Sequence, residues 1–309
     1  MASAKKQVTK GRGAKAPRSA FRSKVKPTAK AKAKAKAKAK AKAKATPKKS
    51  AARVTTIAAR TAKGARSVET LGTITCPSGT LGIFDIGLVG YLPRAALEPA
   101  IVKVTVPTDR ELTVTGTRLG RGRFADCWDH VSIVLAAGNI QSSRKLGEAG
   151  VDFARLACLD LAVLDQWRHE DSLDGLADVV FWGRDEGLLA KVMNAPRSRE
   201  GHGWSNLPVA EAEAKADEAA RRKAANKWLL NVDYRPHSHH YQALAAARAN
   251  PHGAGTLELA GTRMLLLFTS WGDGVFPIYL DLDAADRPVR VRIQLATAES
   301  SAAMTAVNA

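Results

Sequence analysis

Residues 256–295 read TLELAGTRMLLLFTSWGDGVFPIYLDLDAADRPVRVRIQL, and they contain the clearest strand pattern in the chain. Its apolar and alternating runs predict four β-strands, at 256–259, 264–268, 275–282 and 289–295. Turn residues separate the runs, and the sequence Ala-Ala-Asp-Arg-Pro at 284–288 predicts a hairpin before the last strand. Strands joined by such short turns pair antiparallel, so this segment predicts an antiparallel sheet.

Similar runs open the globular part of the chain. They predict strands at 73–76, 81–84, 101–106, 112–117 and 131–135. Several strands spaced by about ten residues and joined by turns favour a largely antiparallel sheet or sandwich over alternating β and α units.

A few helices are predicted between these two groups of strands. The pattern at 150–167 predicts a buried strand that passes into a helix, and 178–193 predicts a second helix. Prolines and glycines predict a loop at 194–208. Acidic residues early and basic residues late predict an exposed helix at 209–230, because that order complements the helix dipole. An alanine-rich segment predicts a shorter helix at 240–248.

The fold class predicted is therefore α+β, a β-rich antiparallel sheet or sandwich with a few helices. We expect a single domain over residues 67–295 with a helical insertion at about 194–255, and a frayed C-terminus at 296–309. A chain of this length has enough apolar residues to bury a real core.

The charge of the chain is distributed very unevenly. The whole sequence has 48 Lys+Arg and 29 Asp+Glu, a net charge of +19. Residues 1–66 hold 23 of the basic residues and no acid, so the remainder holds 25 basic and 29 acidic residues, a net of −4. Residues 1–66 also carry almost no large apolar residue, so a low-complexity basic tail, disordered when free, is predicted before a mildly anionic body.

Lysines alternate with alanines in the centre of this tail. The candidate nucleic-acid-binding residues are Lys30, Lys32, Lys34, Lys36, Lys38, Lys40, Lys42, Lys44, Lys48 and Lys49. In an extended chain alternate lysines lie on one side, about 6.6 Å apart, which is close to twice the ~3.4 Å axial spacing of phosphates along one DNA strand. The pattern predicts nonspecific contacts to nucleic-acid phosphates.

The tail also resembles those of linker histones and of lysine- and alanine-rich histone-like bacterial proteins. The resemblance is carried by the Ala/Lys run and by Thr46-Pro47-Lys48-Lys49, and it implies DNA compaction or tethering. Alternatives are a solubilising or expanded repeat without a partner, an organellar transit peptide, and a contact to anionic membrane surfaces. Transit peptides favour Arg, whereas Lys dominates here.

Several classes are excluded by what the sequence lacks. No stretch approaches the roughly 18 apolar residues of a membrane-spanning helix, and no apolar segment of a secretory signal follows the first charges. Cys76, Cys127 and Cys158 are widely spaced, so we expect no disulfide framework and a reducing compartment such as the cytoplasm. Without a Walker loop or dinucleotide fingerprint, no cofactor is predicted.

Three blocks of the body together resemble the family catalogued as domain of unknown function 4241. They are Ser-Gly-Thr-Leu at 78–81 leading to Asp85, Gly-Val-Asp at 150–152 with Asp160 following, and SWGDGVFPIY at 270–279. The family has no established reaction, so the resemblance, over about residues 72–295, implies a mixed β-rich fold and no activity. Two departures are Ile86, where the family usually has Pro, and Ala154, where it usually has Gly.

Candidate chemistry in the body is confined to scattered acids and histidines. A possible acidic cluster of Asp85, Asp152, Asp160 and Asp273 has the oxygen ligands that bind a cation, but carboxylates that cap turns are the simpler interpretation. No metal site is predicted.

Two patterns in the body contain histidines. The sequence His-Ser-His-His at 237–240 lacks the further ligands of a zinc site and predicts the polar start of a helix. Asp126, Asp129 and His130 have the composition of an oriented general base, but no activated nucleophile accompanies them.

The sequence therefore predicts a nonenzymatic protein, cytoplasmic or nucleoid-associated, whose tail tethers the body to DNA or another polyanion. The alternative is a protein–protein interaction module of the immunity or regulatory type, with the 209–230 helix as its interface and an incidental tail. A hydrolase or metal-dependent enzyme would rest only on the scattered Asp and His residues.

Overall fold

The computed structural model describes residues 66–298. The predicted tail up to residue 65 and residues 299–309 of the predicted frayed end lie outside the described residues. The strands are β1 (Val68–Ile74), β2 (Thr80–Asp85), β3 (Val102–Thr105), β4 (Leu112–Arg118), β5 (Trp128–Val134), β6 (Ser142–Val151), β7 (Arg155–Asp160), β8 (Leu176–Gly183), β9 (Arg197–Ser198), β10 (Gly201–Pro208), β11 (Leu230–Pro236), β12 (Ala254–Leu259), β13 (Thr262–Phe268), β14 (Gly274–Leu282) and β15 (Pro288–Gln294). The helices are α1 (Arg94–Leu97), α2 (Glu186–Met193), α3 (Val209–Asn226) and α4 (His239–Ala249), with 3-10 helices at Ile86–Gly90, Glu98–Ala100, Gly122–Phe124 and Leu161–Gln166.

Within the described residues these strands form three sheets, and every pairing is antiparallel. The first sheet has the order β1-β4-β5-β15-β14-β6, the second β12-β13-β7-β2-β3, and the third β11-β8-β10-β9. The predicted β-rich antiparallel fold with few helices is confirmed.

The main core lies between the six-stranded and five-stranded sheets, which form a sandwich. Val114 and Ile293 project into it from the first sheet, and Leu81 and Leu267 from the second. These side chains are almost completely buried, so each one stabilises the fold by about 1.5–3 kcal/mol relative to an exposed position.

A second core covers the opposite face of the five-stranded sheet. Phe84 and Leu159 pack there against Val163 of the 3-10 helix Leu161–Gln166 and against Ala243 of α4. Because both faces of this sheet are covered, β2 is buried at five of its six positions instead of at alternate ones.

The third sheet corrects two sequence predictions. Residues 178–193 form the end of β8 followed by α2, and the predicted loop at 194–208 contains β9 and β10. Gly201 and Gly203, which suggested the loop, lie in β10 with φ of +148° and +156°. A Cβ at Gly203 would meet the Val179 carbonyl oxygen at 1.9 Å, so these glycines permit close strand approach.

Two helix predictions hold with shifted ends. The predicted helix at 209–230 is α3, but it ends at Asn226 because Lys227 takes a left-handed conformation (φ 53°) and the chain then enters β11. The predicted helix at 240–248 is α4, and Ser238 caps it by accepting a hydrogen bond from Tyr241 N–H.

The two large sheets are related by an internal two-fold repeat. When the strands of the first sheet are counted inward from its two edges, β1 is equivalent to β6, β4 to β14 and β5 to β15. In the second sheet the inner pair β2 and β7 is flanked by the equivalent strands β3 and β13. Each half follows the same path along the chain, and the third sheet and α4 are inserted in the second half only.

Before the insertion, from β1 to β2 and from β6 to β7, residue positions in the repeat correspond at a constant separation of 75. A β-bulge between Thr70 and Gly72 has its counterpart between Lys145 and Gly147. The left-handed residue before β2, Gly79 (φ +76°), corresponds to Ala154 (φ 53°) before β7. The same separation relates Asp85 to Asp160, so β2 and β7 are equivalent residue by residue.

Each of these aspartates accepts hydrogen bonds from backbone N–H groups in the other half of the repeat. Asp85 accepts hydrogen bonds from Gly87 N–H in its own 3-10 helix and from the N–H groups of Asp152 and Phe153 before β7, all at 2.8 Å. Asp160 accepts from Ala162 N–H at 2.8 Å.

The contacts of Asp160 across the repeat are reciprocal. Its carboxylate accepts from Ser78 N–H at 2.8 Å and from the Ser78 hydroxyl at 2.5 Å, just before β2. Asp85 and Asp160 are 0% and 1% exposed, so these hydrogen bonds to a carboxylate form away from water. We call Asp85 and Asp160 the reciprocal clamps.

We expect Asp85→Asn and Asp160→Asn each to lower the free energy of unfolding by about 2 kcal/mol. In each variant an NH2 group replaces one acceptor oxygen, so two hydrogen-bond donors face each other in a buried position. Chemical denaturation monitored by circular dichroism measures this loss. The control is Asp273→Asn, an exposed aspartate, which should change stability by less than about 0.5 kcal/mol. Clamp variants as stable as this control would contradict the assignment.

Candidate functional site

The lysines assigned to nucleic acid, from Lys30 to Lys49, lie outside the described residues. The candidate residues that the structure describes are the acidic residues and histidines of the body, together with the arginines that contact them.

The four aspartates of the predicted acidic cluster do not meet at one point. Asp85 pairs with Leu156 across the β2/β7 ladder, and Asp160 lies four residues further along β7, about 13 Å away by strand rise. Asp152 and Asp273 are exposed and lie just beyond the Val151/Gly274 pair, where the antiparallel β6/β14 ladder ends. Among residues 66–298 no group of three or more His, Cys, Asp or Glu side chains is placed to hold a metal ion.

Asp129 and His130 are adjacent, with a ring nitrogen 3.2 Å from the carboxylate. Burial lowers the pKa of His130, and the hydrogen bond to Asp129 only partly opposes this effect. Asp126, the third residue of this predicted group, is exposed on the preceding loop, where its carbonyl oxygen accepts from Arg118.

The histidines of the 237–240 segment point to three different partners. The His237 ring nitrogens face Asp174 at 2.9 Å and Asp178 at 3.3 Å. An ionised carboxylate only accepts, so the ring donates to both carboxylates when both of its nitrogens carry protons. Burial alone would lower the pKa of His237, but these hydrogen bonds outweigh it and raise the pKa. The pKa of Asp174 is lowered to about 2, chiefly because its carboxylate forms a hydrogen bond with His237.

His239 and His240 belong to a separate group. His239 Nδ1 accepts from the Arg168 backbone N–H at 2.9 Å. His240 Nε2 lies 2.9 Å from a guanidinium nitrogen of Arg155, which can only donate, so the His240 ring accepts there. The three clustered histidines of the sequence therefore contact different partners.

The most unusual polar group in the body is centred on Arg155, at the start of β7. The rings of His240 and His169 stack on each other with centroids 3.9 Å apart. Trp167 donates its indole N–H to His169 Nδ1 at 3.2 Å, so His169 is fixed as the tautomer with its proton on Nε2. We call Arg155, His169, His240 and the nearby Arg248 the arginine–imidazole cluster.

Electrostatics keep both imidazoles of this cluster neutral. Burial, helped by the Arg155 charge, lowers the pKa of His169 to about 4. Burial, followed by the effects of His169, Arg155 and Arg248, lowers the pKa of His240 to about 3. The pKa of Arg155 itself is lowered, first by burial and then by the like charge of Arg248.

Sequence reasoning missed this cluster because its members lie far apart in the chain. Arg155 and His240 are separated by 85 residues, and neither lies in a recognisable motif. The one signal in the sequence is the dense group of histidines at 237–240, a pattern that predicts only the polar start of a helix.

Three large apolar side chains near the third sheet are exposed, and none of them belongs to the arginine–imidazole cluster. Leu188 and Val192 on α2 are 53% and 50% exposed, and Leu229 after α3 is 59% exposed. The helix α3 itself buries Ala212 and Ala219.

Within residues 66–298 no helix is both long and apolar enough to cross a membrane.

No family model, curated protein or solved structure matches this chain. The resemblances of the body to domain of unknown function 4241 and of the tail to linker histones therefore stay predictions.

His240 has a lowered pKa and His237 a raised one, so the two should make stability depend on pH in opposite directions and over different pH ranges. The lowered pKa of His240 means that the unfolded chain binds more protons between about pH 3 and the ordinary histidine pKa of about 6.5, so acidification destabilises the fold there. His240→Gln should make the loss of stability over this range shallower. Denaturant unfolding at a series of pH values measures it.

His237→Gln is the matched control. The raised pKa of His237 stabilises the fold fully below about pH 6.5, and this contribution is lost as pH rises through the folded pKa. Its removal should therefore lower stability in acid and flatten the decline above pH 6.5. Identical pH profiles for the two variants would contradict these assignments.

Proposed function

We propose that this is a nonenzymatic protein of the cytoplasm or nucleoid, held to DNA or another polyanion by its basic tail. The observation that carries the proposal is the sequence of residues 1–66, with 23 Lys+Arg and no acid. Neutralising phosphates with such residues releases condensed counterions, which favours binding without sequence discrimination. The resemblance of the tail to linker histone tails supports the same function.

The composition of the body supports a tethering role for the tail. The remainder of the chain has a net charge of −4, so DNA would repel it on average. The body therefore depends on the tail for any stable nonspecific contact with DNA.

The start of the body is firmly anchored, as a tether requires. Arg66 forms an ion pair with Asp129 at 3.5 Å, and the Ser67 carbonyl oxygen accepts from Arg118 N–H at 2.9 Å. The Arg118 side chain pairs with Glu69 and lies 3.5 Å above the ring of Trp128. A force applied through residue 66 would thus be carried by several contacts and by the β1/β4 ladder.

We expect replacement of the eight alternating lysines, Lys30 to Lys44, by Gln in the full chain to weaken binding to duplex DNA strongly. If all eight contact phosphates, the slope of log K against log salt should become less negative by about 7. Fluorescence anisotropy with a labelled duplex at four or more salt concentrations measures both quantities.

The matched control replaces the same eight lysines by Arg, which keeps the charge and should retain binding and most of the salt slope. If the Gln variant binds DNA as the parent chain does, the tether proposal fails. The protein–protein interaction module would then be favoured, with the exposed Leu188, Val192 and Leu229 as the observation in its support.

A further inference from the structure

We propose that two copies of this chain pair through β11, edge to edge and antiparallel, about a two-fold axis. The third sheet of one copy then continues into the third sheet of the other. The inference concerns the body alone, and it does not depend on DNA binding by the tail.

The open edge of the third sheet is the first argument. Within residues 66–298 the strand order is β11-β8-β10-β9, so β11 pairs with β8 on one side and with no strand on the other. The opposite edge, β9, has only two residues. The edges of the sandwich are covered, because β1 lies against β12 and β6 lies against β3. An unpaired edge strand is a template for a further strand, so β11 is the edge where another chain can add.

The hydrogen-bond pattern shows which backbone groups of β11 point outward. His237 N–H donates to the Leu176 carbonyl oxygen at 3.1 Å, and the register with β8 then runs without a bulge to the Leu230/Gly183 pair. Antiparallel ladders bond alternate residues, so the odd-numbered residues of β11 face β8. The N–H and C=O groups that face outward belong to Leu230, Val232 and Tyr234.

One self-pairing register uses all of these outward groups. With Val232 on the two-fold axis, Val232 faces itself and Leu230 faces Tyr234, and each facing pair exchanges two N–H···O bonds. With Tyr234 on the axis, Val232 would instead face Pro236, which has no N–H to donate. A two-fold contact requires such self-complementarity, which makes a second copy the occupant that fits this edge.

The charges on β11 do not prevent a second strand from approaching. Natural edge strands are often kept apart by lysines, bulges or unpaired charges. In β11 the two charged residues, Asp233 and Arg235, form an ion pair with each other at 2.7 Å. Arg235 also pairs with Glu200 at 2.7 Å. The strand therefore has no net charge of its own and no lysine.

The apolar face of the sheet continues across the axis in this register. Leu230 packs in one cluster with Ala219 of α3, and Val232 and Tyr234 pack in another with Ala212. An aliphatic side chain facing an aromatic one across two strands is a pair that stabilises sheets.

The helices α3 of the two copies do not collide. Helix α3 packs on β8, β10 and β11, so it lies over the middle of its own sheet. The two β8 strands would be three strand spacings apart, roughly 14 Å. Helices in contact have axes about 8–10 Å apart, so there is room for both.

The test is sedimentation velocity of the full chain over a wide range of concentrations, at a salt concentration that screens the tails from each other. A reversible equilibrium between monomer and dimer is expected. Val232→Pro should raise the dimer dissociation constant at least about tenfold, because it removes an outward N–H and leaves the bonds to β8 intact. The control is Val232→Thr, which keeps the N–H and the β-branched shape and should retain the dimer.

The register has a test of its own. With Val232 on the axis, Asn231 faces Asp233, and Asn231 is exposed, so its replacement does not threaten the fold. Asn231→Lys should tighten the dimer and Asn231→Asp should weaken it, each about threefold, because opposite charges that face each other across strands attract and like charges repel. Amide hydrogen exchange at Val232 and Tyr234 should slow as the dimer forms.

Three results would overturn the proposal. They are a chain that stays monomeric at every concentration, a dissociation constant that is the same in Val232→Pro and Val232→Thr, and an association that is lost in Leu188→Gln but kept in Val232→Pro. The last result would show that the copies meet through the exposed side chains of α2 and not through β11.

A dimer of this kind carries two basic tails. If the proposed function of the tail is correct, both tails can engage one polyanion, and binding is strengthened by the high effective concentration of the second tail. Failure of the two proposals can be told apart. DNA affinity and its salt slope report on the tail lysines, whereas sedimentation of the chain with Lys30 to Lys44 replaced by Gln reports on β11.

Discussion

The reciprocal clamps are the interaction on which the arrangement of the body depends. Each buried aspartate ends one strand of the central β2/β7 pair and binds the chain just before the other strand. A carboxylate placed in this way satisfies several backbone donors at once, which keeps the donors from being buried without partners. These contacts fix the register of β2 and β7 at the centre of the five-stranded sheet.

The arginine–imidazole cluster lies directly beside one of these clamps. Asp85 holds the N–H groups of Asp152 and Phe153, and Arg155 follows after one left-handed residue, Ala154. The position of the guanidinium is thus set by a buried structural contact and not by a flexible loop. On the other side, α4 brings His240 to the same point, so two rigid elements fix the cluster.

Much of the sheet architecture was predictable because its strands are apolar over several consecutive or alternate positions, as in β13, β14 and β15. The strand β6 was missed because most of its ten residues are exposed and polar. The strand β10 was missed because Gly201 and Gly203 were interpreted as turn residues, whereas they allow close approach to β8. Local sequence does not distinguish these two uses of glycine.

The site was much less predictable than the fold. Turn-capping aspartates were expected, but their reciprocal arrangement depends on pairing between segments about 75 residues apart. The repeat does leave a faint trace in the sequence: Leu71-Gly72 corresponds to Leu146-Gly147, and Leu81 and Asp85 correspond to Leu156 and Asp160. A search for self-similarity at a fixed separation would have found it.

That repeat also suggests how the chain arose. A two-fold axis through the Ile83/Cys158 pair relates the halves as it would relate the subunits of a symmetric dimer. Duplication and fusion of a gene for a half-sized, dimeric ancestor would give this topology. In a single chain either half can diverge alone, and only the second half contains the long insertion with the third sheet and α4.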